Sequence, residues 1–409
     1  MTDVPLVSIV KVEGEVVEVA VRKAVKLSGG LANIIKPGSK VLIKPNVMRP
    51  LRSGCGVITD VRVTQAVTEL VLEQDPERVI IGEGASVGYD FPDFKDTMEA
   101  FQVSGTAEMA RRLGAELVDL NRDTPVEVEV PEAFVMKRFK IAKTAKEADA
   151  IISVPCLKTH VRTGVTASLK NMKGVLPGLE KRRTHRTGLD RAIVDLNRVA
   201  KPDFVVVDAI NCMEGTWTIP DDTVRMSLIL AGADPVSVDS VCAKLIGLNP
   251  EKIMHIKLAE EEGLGIADLN RIGIEGERIE DVVKRLSSYQ EVFRGRFRGV
   301  RIVEKDACTG CMGEAMSTLV YLRSAGFEKE MAELSLVMGQ PEEVCEAGRK
   351  LLIVGQCASE HRRLGTYVRG CPPHGFEITN GACEALDIDK ETVQRAIEKL
   401  HEVPHTLNY

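Results

Sequence analysis

A chain of 409 residues is too long for one ordinary core and long enough for two or three domains, each with its own apolar interior. Hydrophobic residues at 44% and charged residues at 28% describe a soluble globular chain and exclude a disordered one. A formal charge of −6 and 4% aromatics exclude a surface built for nucleic acid, so any anion must be held by a local patch.

Residues 1–10 include Asp3 and Pro5 and lack a basic end followed by an apolar stretch. No secretory leader is expected, and a cytoplasmic location is. Apolar runs such as 204–207 fall far short of the roughly 18–20 residues that cross a bilayer, so no membrane partner is expected. Val/Ile-rich runs predict strands at 40–44, 78–82, 150–154, 203–208 and 227–231. Between them, helical patterns occupy 61–72, 104–113, 190–199, 235–246 and 280–287. This alternation predicts an α/β fold over residues 1–292, with a mostly parallel sheet and flanking helices. The Arg/Gly-rich stretch 293–305 predicts a connector. Residues 306–409 predict a smaller α/β domain, with strands at 334–338 and 351–355 and helices at 312–324 and 342–348.

Ten cysteines without a leader imply a reducing compartment, where clustered thiols hold metal more often than they form disulfides. Cys308-Thr309-Gly310-Cys311 can direct two thiolates at one centre, with Gly310 easing the turn. The helix that follows turns its positive end toward that centre. Cys357 follows the strand at 351–355, and Cys371 precedes Pro372-Pro373, placing both in loops beyond strand ends. Cys308, Cys311, Cys357 and Cys371 are therefore expected to hold a 4Fe-4S cluster, with a structural zinc as the alternative. Cys345, within the expected helix, and Cys383 read as packed small hydrophobes, although either could replace a ligand. Cys156, Cys212 and Cys242 read as structural, although the first two could approach a ligand where their loops converge.

A second constellation lies in the larger domain. From Lys158 to Arg191 there are nine Lys or Arg residues against Glu180 and Asp190, a local excess suited to an anionic ligand such as a carboxylate or phosphate ester. A solvated basic loop is the competing account, and it is the default for Lys181-Arg182-Arg183. Lys158 and His160 sit at a strand end and are expected to divide acid and base work with Asp208 and Glu214. Lys44 and Asn46, with Lys170, Asn171 and Lys173, are expected to bind the substrate. Gly82-Glu83-Gly84-Ala85-Ser86-Val87-Gly88 has the glycine density of a phosphate loop but does not open into a helix as a dinucleotide fingerprint does. Asp234 reads equally as a helix cap or a catalytic group.

Lys44-Pro45-Asn46, Pro155-x-x-Lys158-x-His160, Lys170-Asn171-x-Lys173-Gly174, Asp208-Ala209 with Glu214-Gly215, and Asp234 with Asp239 together resemble the family called domain of unknown function 362. The resemblance runs over roughly residues 7–286. Members of that family often carry a ferredoxin-like cysteine module, which implies a redox role. This tail has one close pair and two distant cysteines instead of a dense run, and Gly370-Cys371-Pro372-Pro373 is similar to the cluster-binding small subunits of hydrogenase-like enzymes. The expected function is an iron-sulfur oxidoreductase of anaerobic metabolism, its cluster coupled to an anionic small-molecule substrate. An electron-transfer or assembly partner without its own catalysis is one alternative, and a non-redox isomerase or lyase using Lys158 and His160 is another. The reading admits a redox partner protein and a homo-oligomer.

Overall fold

The computed structural model describes residues 4–14, 16–85, 97–160, 162–178, 180–215, 223–287, 297–305, 307, 309–373 and 375–402. The chain divides into two compact units: Met1–Thr159 with Val165–Leu286, and Ser287–Tyr409 with the short insertion His160–Gly164.

Runs of Val and Ile are stable as strands when both faces of their sheet are covered. The larger unit is built on β1 (Leu6–Lys11), β2 (Lys40–Pro45), β3 (Arg78–Glu83), β4 (Glu116–Asp119), β5 (Pro125–Glu129), β6 (Arg138–Ala142), β7 (Ala150–Val154), β8 (Cys156–His160), β9 (Gly164–Thr166), β10 (Phe204–Met213), β11 (Thr223–Gly232) and β12 (Gly273–Gly276). Among the described residues, ten of these form one sheet along the path β12-β1-β11-β10-β7-β2-β3-β4, with β8 beside β10 and β9 beside β8. The pairs from β10 through β7, β2, β3 and β4 are parallel, whereas β11 runs against both β10 and β1. The fold is thus mixed α/β with a mostly parallel central sheet.

Alternate side chains leave each strand on opposite faces. Val41, Ile43, Val79, Ile81 and Ile152 enter one core, covered by the helices Val17–Leu27 and Val61–Leu72. Leu42, Ile80 and Ile151 enter another, covered by the helix Leu189–Val199. Because β2, β3 and β7 run in parallel, their carboxyl ends share one edge of the sheet. That edge is where α/β proteins place ligands.

The smaller unit has β13 (Arg301–Lys305), β14 (Leu334–Gly339), β15 (Lys350–Val354) and β16 (Thr366–Val368), in that spatial order and all parallel. Met312, Ala315 and Met316 of the helix Thr309–Ser324 pack with Ile378 and Ala382 of the helix Gly375–Leu386 over Leu336, Leu352 and Val354.

Several expected elements differ. Part of the expected connector is β13, while residues 293–296 lie outside the described residues. The helix expected at 104–113 runs over Thr106–Leu113, and a separate helix, Thr97–Val103, precedes it across Gly105 with φ 81°. The one expected at 280–287 is the single turn Ile279–Val282. Beyond it, the amides of Lys284 and Leu286 donate to the carbonyls of Leu245 and Ile246, completing the end of the helix Pro235–Leu245. Residues 342–348 form no helix: Glu346 instead accepts from Ser335 Oγ at 2.8 Å, and so short a segment cannot repay helix nucleation. No helix among the described residues is long and apolar enough to cross a membrane.

Asp195, on the helix Leu189–Val199, is fully buried and accepts from the amides of Phe134, Val135 and Met136 at 2.8–2.9 Å. Asp195→Ala leaves these donors without their carboxylate and is expected to cost about 2–4 kcal/mol, read from the shift of a urea unfolding curve.

Candidate functional site

Three lysines are buried among the described residues: Lys44, Lys158 and Lys181. An ammonium taken out of water needs a hydrogen-bond acceptor for each hydrogen and, for its charge, an anion. Lys44, at the end of β2, has both. Its Nζ donates to Glu83 Oε2 at 2.7 Å, Asn171 Oδ1 at 3.0 Å and Pro45 O at 2.8 Å. Glu83 ends the neighbouring strand, and its carboxylate also accepts from the amides of Val47 and Gly84. Asn171 closes the short helix Ser168–Asn171 and donates from Nδ2 to Lys44 O and Ser153 Oγ, each at 3.0 Å. Burial pulls the Lys44 pKa down, against the pull of the Glu83 carboxylate. Gly174 must be glycine, because a Cβ there would collide with the Glu83 carboxylate and the Lys44 side chain.

Lys158, on β8, lies 3% exposed and donates to Asn46 Oδ1 at 2.8 Å, Val57 O at 2.5 Å and Met48 Sδ at 3.6 Å. All three acceptors are neutral, and burial lowers its pKa. Asn46 joins the two lysine sites, since its Nδ2 lies 3.5 Å from Asn171 Oδ1. Lys44, Asn46, Lys158 and Asn171 are therefore one hydrogen-bonded network.

The other expected site residues have surroundings of their own. Lys170 is half-buried and donates to Thr166 Oγ1 at 3.2 Å, and Lys173 is half-buried. Asp208 is buried and accepts from the amides of Asp60 at 2.7 Å and Ile210 at 3.0 Å. Burial, aided by the Asp60 carboxylate, pushes its pKa up to about 7. Glu214 is half-buried, and the amide of the next residue, Gly215, donates to Thr159 Oγ1. His160 belongs to the insertion that groups with the smaller unit, and its Nδ1 accepts from the amides of Arg162 and Thr163 at 3.1 Å. Those bonds place the ring proton on Nε2.

Asp234 caps the helix Pro235–Leu245 through the amides of Val236 and Ser237. Asp239 holds the amides of Ser168 and Leu169 and so anchors the turn that carries Asn171. Burial raises the thiol pKa values of Cys156, Cys212 and Cys242 well above their ordinary range, which disfavours the reactive thiolate.

Sequence reasoning passed over Glu83 and Lys181. A charged residue ending an apolar strand next to Lys44's strand was the available signal for Glu83. Lys181, expected on a solvated loop, is instead 5% exposed near the start of the helix Glu180–Thr187. Its Nζ donates to Asn121 Oδ1 and to Leu176 O. The stretch 86–88 of the glycine-rich loop lies outside the described residues.

In the smaller unit, the cysteine-bearing segments follow β13, β15 and β16, so the parallel sheet brings them to one edge. Cys311 is buried, and its Sγ lies 2.8 Å from where a Cβ of Gly355 would stand; Gly355 also has φ 92°. Gln356 N donates to Gly370 O at 2.7 Å, tying the residue before Cys357 to the residue before Cys371. Cys357 and Cys371 are exposed, and Cys308 lies outside the described residues. Cys345 is exposed on the irregular segment that replaces the expected helix, and Cys383 is buried. Among the described residues, no three His, Cys, Asp or Glu side chains stand close enough together to hold a metal ion. In this unit Arg162 forks onto the buried Glu314, Nη1 to Oε1 at 2.7 Å and Nη2 to Oε2 at 2.8 Å.

Residues 41–244 match the family model described as Domain of unknown function (DUF362). A thylakoid-associated protein of Synechocystis sp. is 27% identical over 242 residues, 58% of this chain and 72% of the relative. Among solved structures, the lactate racemase apoprotein of Thermoanaerobacterium thermosaccharolyticum aligns with a TM-score of 0.39 and 13% identity, over 59% of this chain and 57% of that one. The chain thus spans little more than half of that protein. A Thermotoga maritima protein aligns with a TM-score of 0.34 and 12% identity, over 82% and 73%.

Lys44→Met strands the Glu83 carboxylate and is expected to destabilise the fold by about 3–5 kcal/mol; adding Glu83→Gln recovers part of that loss, measured by chemical unfolding of both variants. Asp208 binds its proton in the folded state up to about pH 7, against roughly 3.9 when unfolded. The stability it contributes is complete below about pH 4 and is lost as the pH rises through 7. Asp208→Asn removes that slope, so the unfolding midpoint of the variant relative to wild type should be higher at pH 8 than at pH 5.

Proposed function

We propose that the segment matching DUF362 binds an anionic small molecule, and that the smaller unit holds a 4Fe-4S cluster which makes the protein an oxidoreductase. The observation that carries the cluster reading is the convergence of three cysteine-bearing segments on one edge of the smaller sheet, where the Cys311 sulfur packs directly against Gly355. A side chain at residue 355 would collide with that thiol, and the backbone bond from Gln356 to Gly370 ties the other two segments together. The donor set suits iron and sulfide: Cys308, Cys311, Cys357 and Cys371 would supply four thiolates. When bound, the cluster would supply one-electron transfer.

The anion reading rests on charge. Glu83 balances Lys44, whereas Lys158 is surrounded by neutral acceptors and burial lowers its pKa, so a carboxylate or phosphate bound beside it would stabilise its charged form. Asn46 and Asn171 orient the two ammonium groups. Asp208, held by two backbone amides and poised near neutrality, would be the proton-transfer group on this unit.

Protein purified without oxygen is expected to contain about four irons and four sulfides per chain. Cys357→Ala and Cys371→Ala should each lose most of both while keeping the circular dichroism of the fold. Stoichiometric zinc with no iron in the wild type would sink the cluster reading.

A further inference from the structure

The acceptors around Lys158 come from a single segment. Asn46 Oδ1, Met48 Sδ and Val57 O all lie within residues 46–60, which join β2 to the helix Val61–Leu72 with no helix or strand of their own. A loop of that length inside a compact α/β unit is uncommon and usually functional. Both of its ends are anchored. Asn46 N donates to Thr59 Oγ1 and Thr59 N to Asn46 O, each at 2.9 Å, and Val47 N donates to Glu83 Oε2 at 3.0 Å. Val57 and Ile58 are fully buried in the core. Asn46 and Val57 are thus fixed acceptors.

Residues 48–55, between those anchors, are half-buried or exposed. Side chains latch them to the body of the unit: Ser53 Oγ donates to Asp60 Oδ1 at 3.2 Å and accepts from the amide of Val61 at 2.7 Å, while Asn211 Nδ2 donates to Gly54 O at 3.0 Å. Gly54 and Gly56, with φ 82° and 72°, turn the chain back into the core. Met48 is the acceptor of Lys158 that this outer segment carries, and it is the weakest of the three, a thioether sulfur at 3.6 Å on an unbranched, adaptable side chain. Arg49 follows it, half-buried, and after burial itself the Arg49 charge is a further influence that lowers the Lys158 pKa. A weak neutral acceptor thus occupies a position near two cations.

We propose that residues 48–55 form a flap whose Met48 plugs the anion site on Lys158, and that a carboxylate or phosphate binds by displacing it. The inference rests on the anion-binding reading of the larger unit and supplies the route by which an anion reaches an enclosed lysine. When the flap swings out, Met48 leaves the third acceptor position of the ammonium and an anionic oxygen takes it, exchanging a weak neutral hydrogen bond for a charge-assisted one. Asn46 and Val57 keep the other two hydrogens engaged throughout. The closed flap competes with the ligand, so whatever favours opening tightens binding by the same factor.

The test is calorimetric titration of the full-length protein at pH 7 with inorganic phosphate and, separately, acetate, with sodium chloride holding the ionic strength constant. Met48→Ala removes the plug and should bind the same anion roughly tenfold tighter than wild type. Ser53→Ala releases the latch without touching the acceptors of Lys158 and should bind it about threefold tighter. Lys158→Met should abolish binding. Wild-type binding that neither Met48→Ala nor Ser53→Ala strengthens rejects the plug and keeps the anion site. Binding that survives in Lys158→Met, or no binding of either anion to any form, rejects the plug together with the anion reading. Hydrogen exchange on the wild-type chain needs no variant: amides within 48–55 should exchange at least about tenfold faster than those of 57–60, and equal protection of the two stretches overturns the flap.

Discussion

The Lys44–Glu83 ion pair is the constraint on which the larger unit depends. Both groups sit at the carboxyl ends of adjacent parallel strands and are almost wholly removed from water. Desolvating two charges is costly, and the pair survives because every hydrogen of the ammonium and both carboxylate oxygens have partners. Those partners belong to the turn after β2, the start of the loop after β3, and the short helix carrying Asn171. A single buried contact therefore sets the relative positions of three segments far apart in sequence. The absence of a side chain at Gly174 follows from it, since the pair fills the space that a Cβ would need.

The same pair decides the character of its neighbours. With Glu83 committed to Lys44, neither Lys158 nor Lys181 has a carboxylate in direct hydrogen bonding. Burial then lowers the proton affinity of both. Lys158 thus remains as a buried lysine whose charge a small anion could balance, which is a more specific arrangement than the basic composition of the stretch conveys. Asp239 contributes from a distance, because the turn bearing Asn171 begins on amides that its carboxylate holds.

In the smaller unit the organising constraint is topological. Four parallel strands point their carboxyl ends the same way, so cysteines separated by dozens of residues emerge at one edge. Gly355 has a left-handed backbone and stands against the Cys311 sulfur, two reasons for the absence of a side chain there. Glu314, one turn along the helix from Cys311, is buried against Arg162, and burial raises its pKa against the pull of that guanidinium.

The sequence by itself determined the strands whose Val and Ile side chains are buried on both faces, at 40–45, 78–83 and 150–154, because a doubly covered sheet demands continuous apolar runs. It also singled out Lys44, Asn46, Lys158 and Asn171, chemistry-bearing residues just beyond or between such runs. It could not separate a solvated lysine from a buried one: Lys181, in a run of Lys and Arg, looks like surface and is not, because burial depends on what distant segments pack over it. The helix expected at 342–348 was lost for a related reason, since Glu346 bonds Ser335 across the fold. His160, two residues from Lys158 in sequence, groups with the other unit, with its Nδ1 taken by a local turn. Local pattern states which residue types are available, whereas charge balance, burial and the number of acceptors around a nitrogen arise from non-local contacts, and tertiary structure alone decides those.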